Sequence, residues 1–317
     1  MPDFCAGFLR RIERGGMPAR RVRQPFEPNS SMNDAAHDLA SLPEPLTHES
    51  PADDDYHRRF GGVARLYGAA GLARLEAAHV CVIGIGGVGS WAAEALARNA
   101  VGRITLIDLD HIALSNTNRQ IHALGDAYGL AKVEAMAERI IAINPRCRVT
   151  QVDDFVTPDN VPELLGAGYD YVIDAIDSVR VKTEMLGWAR RQGVPVITCG
   201  GAGGQLDPTR VRIDDLARTI QDPLLSKVRA NLRKQWGFTR DPKKKFGIAA
   251  VYSDEPLQYP EPEQQACEID EAPPPEGKST AHGPQGLACA GFGSSVAVTA
   301  VFGFVAASAV IGEIARG

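Results

Sequence analysis

Residues 80–91 form the stretch that most constrains what this chain can fold into. Their sequence, Val-Cys-Val-Ile-Gly-Ile-Gly-Gly-Val-Gly-Ser-Trp, joins an apolar β-branched run to three spaced glycines, Gly84, Gly86 and Gly89, ahead of a helical pattern. A strand, a tight glycine turn and a helix N-terminus together make a cradle for nucleotide phosphates, because glycine lets the backbone approach and free N–H groups favour negative charge. Nicotinamide, flavin and adenylate enzymes share this pattern. It therefore predicts a nucleotide site and leaves the nucleotide open.

Net charge and cysteine spacing narrow the setting in which the chain works. The 317 residues carry a formal net charge of −5, which argues against a protein coated in basic surface but leaves room for a local basic patch. None of the cysteines forms a CxxC pair, so no zinc ribbon is predicted. Scattered single cysteines are typical of a reducing compartment, and we expect a cytoplasmic protein. They are Cys5, Cys81, Cys147, Cys199, Cys267 and Cys289.

The two ends of the chain differ from its middle. Residues 1–50 are rich in arginine and then in proline, serine and aspartate; acids interrupt them and no amphipathic period is clear, which predicts a disordered leader rather than a transit peptide. Between Lys278 and Glu313 lie 34 residues without charge, long enough for a membrane span. Glycine, proline and serine interrupt this stretch, so we predict a buried small-residue helix at about 294–315, with membrane association as the alternative.

Apolar runs and helical patterns alternate through the middle of the chain. The predicted strands are 80–83, 103–107, 148–152, 171–175 and 194–198, and the predicted helices are 53–77, 91–100, 130–143, 161–165 and 179–192. This spacing is typical of βαβ units. The predicted fold class is therefore α/β, a Rossmann-like, mostly parallel doubly wound sheet with a C-terminal extension, in one domain over residues 51–317.

Two charged segments follow the last predicted strand. Residues 227–245 hold eight basic residues and one acid, Asp241. This basic segment is either a solvated helix face or a contact for a polyanion. Residues 254–277 hold eight acids and several prolines without Lys or Arg, which predicts a loop with little fixed structure.

Polar residues follow the predicted strands at the positions where open α/β sheets bind ligands. Asp108 ends the second strand 22 residues after Gly86, where an acid meets a ribose hydroxyl. Asn116, Arg119 and Gln120 come soon after it and Lys132 opens the next helix, as part of an ordered polar set.

The cations in this set indicate which nucleotide the site takes. A nicotinamide dehydrogenase does not need Arg119 and Lys132 there, whereas a triphosphate does, because its charge must be neutralised as it departs. Asp177, at the end of the fourth strand, is suited to hold Mg²⁺ on those phosphates. Together the three residues favour ATP chemistry.

These motifs resemble those of the adenylating enzymes of the ubiquitin-activating E1 superfamily. The resemblance lies in residues 84–89, 108–110, 115–120, 132 and 174–177. A closer likeness is to a bacterial tRNA-modifying branch of that superfamily, and it lies in residues 59–68, 152–160, 200–205, 219–223 and 291–293. It runs from about Arg59 to the C-terminus, with a weak patch in the acidic loop.

The resemblance implies an ATP-dependent adenylating ligase, a tRNA-modifying cyclase. Its substrate would be tRNA carrying N6-threonylcarbamoyladenosine at position 37 (t6A37), whose carboxylate is adenylated before the side chain closes into cyclic t6A with net loss of water. It further implies ATP and Mg²⁺ as cofactors, with a monovalent cation, Na⁺ or K⁺, as a further candidate in the glycine-rich segment 200–204.

Residue roles follow from the resemblance, position by position. The predicted nucleotide-binding set is Gly84, Gly86, Gly87, Gly89, Asp108, Asp110, Asn116, Arg119, Gln120 and Lys132. Asp108 would bind ribose, Asn116, Arg119 and Lys132 would hold the phosphates, and Asp177 would hold Mg²⁺. Arg65 would be an arginine finger reaching the ATP of the partner's site, so a homodimer is expected. The predicted catalytic residues are Arg65, Arg119, Lys132 and Asp177.

Alternatives remain at this point. The first is adenylation of the C-terminus of a sulfur-carrier or ubiquitin-like protein, with a cysteine desulfurase or sulfur-acceptor protein as a candidate partner; the missing zinc cysteines and the basic segment count against it. Neither Cys199 nor Cys267 has a context that supports a thioester step. The others are a nicotinamide oxidoreductase and a non-catalytic RNA- or membrane-binding protein.

Overall fold

The alternation of strands and helices builds one seven-stranded sheet. A computed structural model describes residues 53–259 and 292–317. The spatial order of the strands is β3-β2-β1-β4-β5-β7-β6, and only β6 runs antiparallel to its neighbour. The strands are β1 His79–Ile83, β2 Arg103–Ile107, β3 Arg148–Val152, β4 Tyr171–Asp174, β5 Val196–Cys199, β6 Val211–Asp215 and β7 Ala249–Ser253.

Helices cover both faces of this sheet, which confirms the predicted fold class. They are α1 Asp53–Ala77, α2 Gly89–Arg98, α3 Lys132–Ile143, α4 Val161–Leu165, α5 Val179–Gln192, α6 Pro223–Gln235 and α7 Val296–Arg316. One buried apolar cluster joins the sheet to α2, α3 and α7, and a second joins the other face to α4, α5 and α6. The central strands are apolar on both faces, as a covered parallel sheet requires.

Several predicted boundaries were wrong by a few residues. Helix α2 begins at Gly89 rather than residue 91, because the glycine turn passes directly into the first helical turn. Helix α3 begins at Lys132 rather than residue 130. Strand β5 begins at Val196 rather than residue 194, because Gly193 ends α5 in a left-handed conformation and Pro195 follows.

Strands β6 and β7 were not predicted. Charged residues fill much of β6, Val-Arg-Ile-Asp-Asp, so it lacks a continuous apolar run. It forms an edge of the sheet, where every residue of β6 except Asp215 is only partly buried and polar residues are tolerated. Helix α6, which holds the first part of the basic segment, and the turns after it lead into β7.

The C-terminal helix α7 is apolar and long enough to cross a membrane. In the structure it packs against α2 and α1, and more than half of its apolar stretch is buried inside the protein. A Cβ atom at Gly303 would lie 2.4 Å from the carbonyl oxygen of Val88, so the two helices meet backbone to backbone. The prediction of a buried small-residue helix is confirmed, with its bounds moved to Val296–Arg316.

Some predictions lie outside the described residues. These are the leader at 1–50, residues 260–277 of the acidic segment, Gly291, and the cysteines Cys5, Cys267 and Cys289.

Candidate nucleotide-binding site

The glycine turn after β1 is held by close backbone approaches. Gly84 has φ +86°, and a Cβ atom there would lie 3.0 Å from the backbone of Ala175 at the end of β4. A Cβ atom at Gly89 would lie 1.8 Å from the carbonyl oxygen of Gly84. Both positions therefore require glycine. A Cβ atom at Gly86 would find only Gln120 Nε2, at 4.0 Å, so this part of the turn faces open space in which a phosphate fits.

Asp108 lies beside this turn, as its position after β2 predicts. One carboxylate oxygen accepts a hydrogen bond from the amide of Ile85 at 2.5 Å, and the other accepts from the amide of Asp110 at 2.9 Å. Burial raises the pKa of the Asp108 carboxyl above its ordinary value, although the nearby Lys132 ammonium and the two amides partly offset this rise. The carboxylate is thus fixed at the strand end, where it can accept hydrogen bonds from a ribose.

Lys132 has carboxylate partners that the sequence did not indicate. Its side chain is buried, and its Nζ lies 2.5 Å from an Asp110 oxygen and 3.8 Å from an Asp108 oxygen. The backbone amide of Lys132 donates to the carbonyl oxygen of Asp110. Asp110 is largely exposed, so for Lys132 to neutralise a phosphate its ammonium must exchange this carboxylate for the phosphate.

Arg119 lies on the other side of the glycine turn. A Cβ atom at Gly87 would lie 3.0 Å from Arg119 Cγ. The guanidinium donates to the carbonyl oxygen of Ser115 at 2.9 Å and to Asn118 Oδ1 at 3.0 Å. Neither acceptor carries a charge, and burial lowers the pKa of Arg119. The site therefore holds a positive charge beside the glycine turn that no carboxylate among the described residues neutralises.

Asn116 and Gln120 shape the loop that presents Arg119. The Asn116 side chain accepts from the amide of Ala113 and so caps a short 3₁₀ turn, Leu114–Asn116. Its carbonyl oxygen accepts from the amides of Arg119 and Gln120. Gln120 is buried, and its Oε1 has no hydrogen-bond partner among the described residues. A buried amide oxygen without a donor is costly, and the amide nitrogen of the same side chain lies at the open part of the glycine turn.

Two residues outside the predicted set hold this loop. Trp91, in the first turn of α2, donates from its indole to the carbonyl oxygen of Arg119 at 2.9 Å. Asn118 donates to the carbonyl oxygen of Ser294 at 2.8 Å and accepts from the amide of Val296, so the loop is tied to the start of α7. The sequence gives no sign of these contacts, since Trp91 reads as an apolar helix residue.

Asp177 lies between β4 and α5 with its carboxylate exposed. No described residue donates a hydrogen bond to it or pairs with it, so its oxygens are available to a cation. The same loop touches the glycine turn, through the contact between Gly84 and Ala175. A carboxylate without a protein donor is a suitable ligand for Mg²⁺ beside phosphates.

A buried ion pair, which the sequence did not predict, joins the two ends of the loop that carries Asp177. Lys182 Nζ lies 2.6 Å from Asp174 Oδ2, and both side chains are wholly buried. The ammonium also donates to Thr198 Oγ1 and to the carbonyl oxygen of Cys199, both at 3.0 Å. The pair therefore joins the ends of β4 and β5 to the first turn of α5. A lysine in an amphipathic helix ordinarily predicts exposure, so no sequence signal distinguished Lys182.

Arg65 is not brought to the other predicted residues within one chain. It lies exposed on α1, and among the described residues it makes no hydrogen bond or ion pair. The described residues also contain no group of three His, Cys, Asp or Glu side chains that would hold a metal ion. Cys199 is buried and its pKa is raised to about 12, chiefly by that burial, so it is unsuited to a thioester step.

The fold and the site are those of a nucleotide-binding α/β protein. A glycine turn follows β1, an acid lies at the end of β2, and an arginine and a carboxylate lie around them. The chain belongs to the ThiF family, whose family model matches residues 56–312. The predicted resemblance to E1-type adenylating enzymes is thereby confirmed.

The relatives of the chain narrow this class. It is 56% identical over 256 residues to the tRNA threonylcarbamoyladenosine dehydratase of Escherichia coli, covering 80% of this chain and 92% of that protein. The solved structure of the E. coli tRNA N6-threonylcarbamoyladenosine dehydratase in complex with ATP is similar, with a TM-score of 0.72 and 51% identity over 83% of this chain and 96% of that one. The E. coli molybdopterin-synthase adenylyltransferase is 30% identical over 143 residues, which cover 45% of this chain and 56% of that protein.

Proposed function

We propose that this protein is an ATP-dependent tRNA-modifying enzyme that converts t6A37 of tRNA to its cyclic form. The observation that carries the proposal is the guanidinium of Arg119, whose side chain lies against Gly87, together with the exposed carboxylate of Asp177 on the neighbouring loop; neither charge is paired among the described residues. A site for a triphosphate and its metal needs such a combination. The 56% identity to a tRNA threonylcarbamoyladenosine dehydratase supports the choice of substrate.

The chemistry has two steps. A carboxylate oxygen of the threonylcarbamoyl group attacks the α-phosphorus of ATP, and pyrophosphate leaves. A nucleophilic atom of the same modified base then attacks the acyl carbon, the bond to AMP breaks, and a ring closes. The oxygen lost from the carboxylate leaves on AMP, so the base loses one water while ATP becomes AMP and pyrophosphate. Adenylation is needed because a carboxylate oxygen is a poor leaving group.

Each predicted site residue has a role in this scheme. Asp108 accepts from the ribose, and the turn at 84–89 admits the phosphates. Arg119 stabilises the negative charge that develops on the departing pyrophosphate, since it is a fixed cation in a partly buried site. Asp177 would hold Mg²⁺, which supplies further neutralisation of the phosphates. Lys132 joins them when its ammonium leaves Asp110.

The proposal includes a homodimer in which Arg65 serves the partner's site. Arg65 is exposed and unpaired among the described residues, and its helix α1 packs on α7. Phe304 of α7 is 44% exposed and packs edge-on against Trp91. Aromatic residues at a surface are typical of subunit interfaces. Trp91 binds the backbone of Arg119, so an interface there would adjoin the nucleotide site.

We place the catalytic domain at residues 51–317 and the protein in the cytoplasm, because α7 is packed into the domain. A Na⁺ or K⁺ ion at segment 200–204 would be bound by backbone carbonyls. A cysteine desulfurase or sulfur-acceptor protein stays a candidate partner. A pull-down assay with each protein tests whether it binds.

The decisive experiment uses purified protein, ATP, Mg²⁺ and tRNA carrying t6A37, with mass spectrometry of the nucleosides. We expect loss of one water per modified base with one AMP formed. Arg119→Ala and Asp177→Asn should lower the rate by at least about a hundredfold. Both variants should bind tRNA as tightly as the wild-type protein does. A sulfur-carrier protein replaces tRNA in the parallel reaction. If pyrophosphate exchange occurs only with the carrier protein, the proposal is wrong and the alternative adenylation is right.

A further inference from the structure

The basic segment 227–245 runs along the strand direction, from the carboxyl ends of the parallel strands to their amino ends. We call the carboxyl ends, which carry the glycine turn, the nucleotide edge of the sheet. Helix α6 begins at the nucleotide edge, where its N-cap Asp222 accepts a hydrogen bond from the amide of Gly201, two residues after β5 ends. It then extends over 13 residues, about 20 Å at 1.5 Å per residue.

Contacts at the other end of α6 fix its direction. Trp236, just past the helix, packs against Gly187 in the second half of α5. The guanidinium of Arg233 lies 5.2 Å from the centre of the Phe246 ring. Phe246 comes three residues before β7, which runs parallel to β5, and so lies where the parallel strands begin. The basic segment therefore spans the full height of the sheet.

Within residues 53–259 and 292–317, the positive charges of this segment have no carboxylate at ion-pair distance. None of its eight basic residues forms an ion pair with an acid among the described residues, and Asp241, its single acid, caps the local turn by accepting from the amide of Lys243. The pKa of Arg229 is lowered, first by burial and then by the like charge of Arg233, while the Asp222 carboxylate acts in the opposite direction. A concentration of unneutralised charge on a chain with net charge −5 indicates an anionic partner.

The aromatic rings in this region are covered rather than presented. Arg191 lies over the ring of Trp236 and Arg233 over that of Phe246. Phe246 is buried. Trp236 and Phe238 are only partly exposed, and Phe238 packs edge-on against Phe246. Proteins that bind single-stranded RNA stack bases on exposed rings, and no ring of this segment belongs to the exposed class. The surface instead offers long flexible cations, which suit the phosphate backbone of a duplex.

We propose that the basic segment binds the phosphate backbone of a base-paired tRNA stem, the one adjoining the loop whose modified adenosine enters the nucleotide site. This inference rests on the proposed function. The direction of α6 gives the geometry: the loop lies at the glycine turn, and the stem extends along α6 toward residues 243–245. An extended duplex bridges the two edges of the sheet, whereas a mononucleotide reaches only one.

The test compares two charge-reversal variants of the full chain. Lys243→Glu with Lys244→Glu changes the far end of the basic segment. The matched control, Arg103→Glu with Arg148→Glu, makes the same change in net charge on paired exposed residues of β2 and β3. Each variant is assayed with full-length tRNA and with a loop oligonucleotide that lacks the stem, both carrying t6A. Thermal unfolding checks that each variant is folded.

We expect the lysine variant to raise KM for full-length tRNA roughly tenfold and to reduce the dependence of log KM on log salt by about 1 per lysine removed. Its kcat, its ATP affinity and its KM for the stemless oligonucleotide should match the wild type. An unchanged KM and salt dependence for tRNA would overturn the proposal, as would an equal effect in the arginine control. Binding of each variant to anionic phospholipid vesicles is measured as well. If the lysine variant lost vesicle binding but kept wild-type tRNA binding, the surface would be assigned to a membrane and the proposal would be overturned. If wild-type protein acts on neither RNA, the proposed function itself fails.

Discussion

The ammonium of Lys182 lies 2.6 Å from the carboxylate of Asp174, and neither side chain reaches water. Asp174 ends β4 and Lys182 lies in the first turn of α5, so the pair closes the loop that carries Asp177. The free oxygen of Asp174 accepts from the amide of Ile176 at 3.3 Å, which holds the start of the same loop. The candidate metal ligand, Asp177, is therefore exposed on a loop whose two ends are held in place by the buried ion pair.

Removing the cation of this pair should destabilise the protein strongly. Lys182→Met leaves the Asp174 carboxylate buried without its partner, which costs about 3–5 kcal/mol. Adding Asp174→Asn removes the stranded charge and should recover much of that loss. Urea denaturation measures both effects, and hydrogen exchange at the Ile176 amide should be faster in the single variant.

The exposed ion pair of Arg98 provides the control. Arg98 is 59% exposed, and its partner Glu94 also pairs with Arg139 at 2.6 Å. Arg98→Met should therefore cost no more than about 1 kcal/mol. Equal losses for Arg98→Met and Lys182→Met would contradict the role assigned to the buried pair.

Alanine substitutions in the glycine turn should separate folding from nucleotide binding. Gly89→Ala places a methyl group 1.8 Å from the carbonyl oxygen of Gly84, so we expect a loss of stability of several kcal/mol or no folded protein. Gly86→Ala meets no protein atom closer than 4.0 Å, so its thermal unfolding should match the wild type. Its ATP affinity should fall at least tenfold, because the methyl group occupies the space left for phosphate. Wild-type affinity by calorimetry would show that phosphates do not approach Gly86.

The sequence predicted the strands and helices through β5 because apolar runs and helical periods alternate there without interruption. It did not predict β6 and β7, since β6 carries Arg212, Asp214 and Asp215 within five residues. Edge strands need only partial burial, so their composition resembles that of a loop.

The candidate site was predictable to the extent that strand ends meet at one edge. Asp108 contacts the glycine turn from the end of β2, and Asp177 lies on the loop after β4 whose Ala175 contacts Gly84. Arg119 contacts Gly87 from the loop after β2. The carboxylate partners of Lys132 and the burial of Lys182 were not predictable, because each depends on packing between segments far apart in the chain. Arg65 stays a prediction, since its proposed target belongs to another copy.

His122 should make the protein sensitive to mild acid. Its side chain is buried, and neither ring nitrogen has a hydrogen-bond partner among the described residues. Burial, with help from the charges of Lys132 and Arg139, lowers its pKa from 6.5 to about 4. Between these values the unfolded chain binds the proton and the folded protein does not, so stability is lost as pH falls from 6.5 toward 4.

Replacing this ring should flatten the pH dependence. His122→Leu removes the titrating group and two unpaired polar atoms, so its free energy of unfolding should fall less between pH 7 and pH 5 than that of the wild type. His79, whose pKa is also lowered to about 4 by burial, accounts for part of the remaining slope. An unaltered slope in His122→Leu would contradict the assignment.

Gly303 tests whether α7 belongs to the folded domain. A Cβ atom there would lie 2.4 Å from the carbonyl oxygen of Val88, in the glycine turn, and 2.9 Å from the amide of Ala92, in the first turn of α2. Gly303→Val should therefore cost about 1–3 kcal/mol and weaken ATP binding, because Val88 precedes Gly89.

Gly312→Ala is the matched control in the same helix. Its methyl group would meet only the flexible end of Arg316, at 3.4 Å, and alanine favours a helix over glycine by about 1 kcal/mol. This variant should be at least as stable as the wild type and bind ATP equally well. If α7 instead crossed a membrane, Gly303→Val would increase its apolar surface, leave the soluble domain intact and move more protein to the membrane fraction. Urea denaturation, ATP titration and cell fractionation of the two variants therefore distinguish a helix that supports the nucleotide turn from one that anchors the protein.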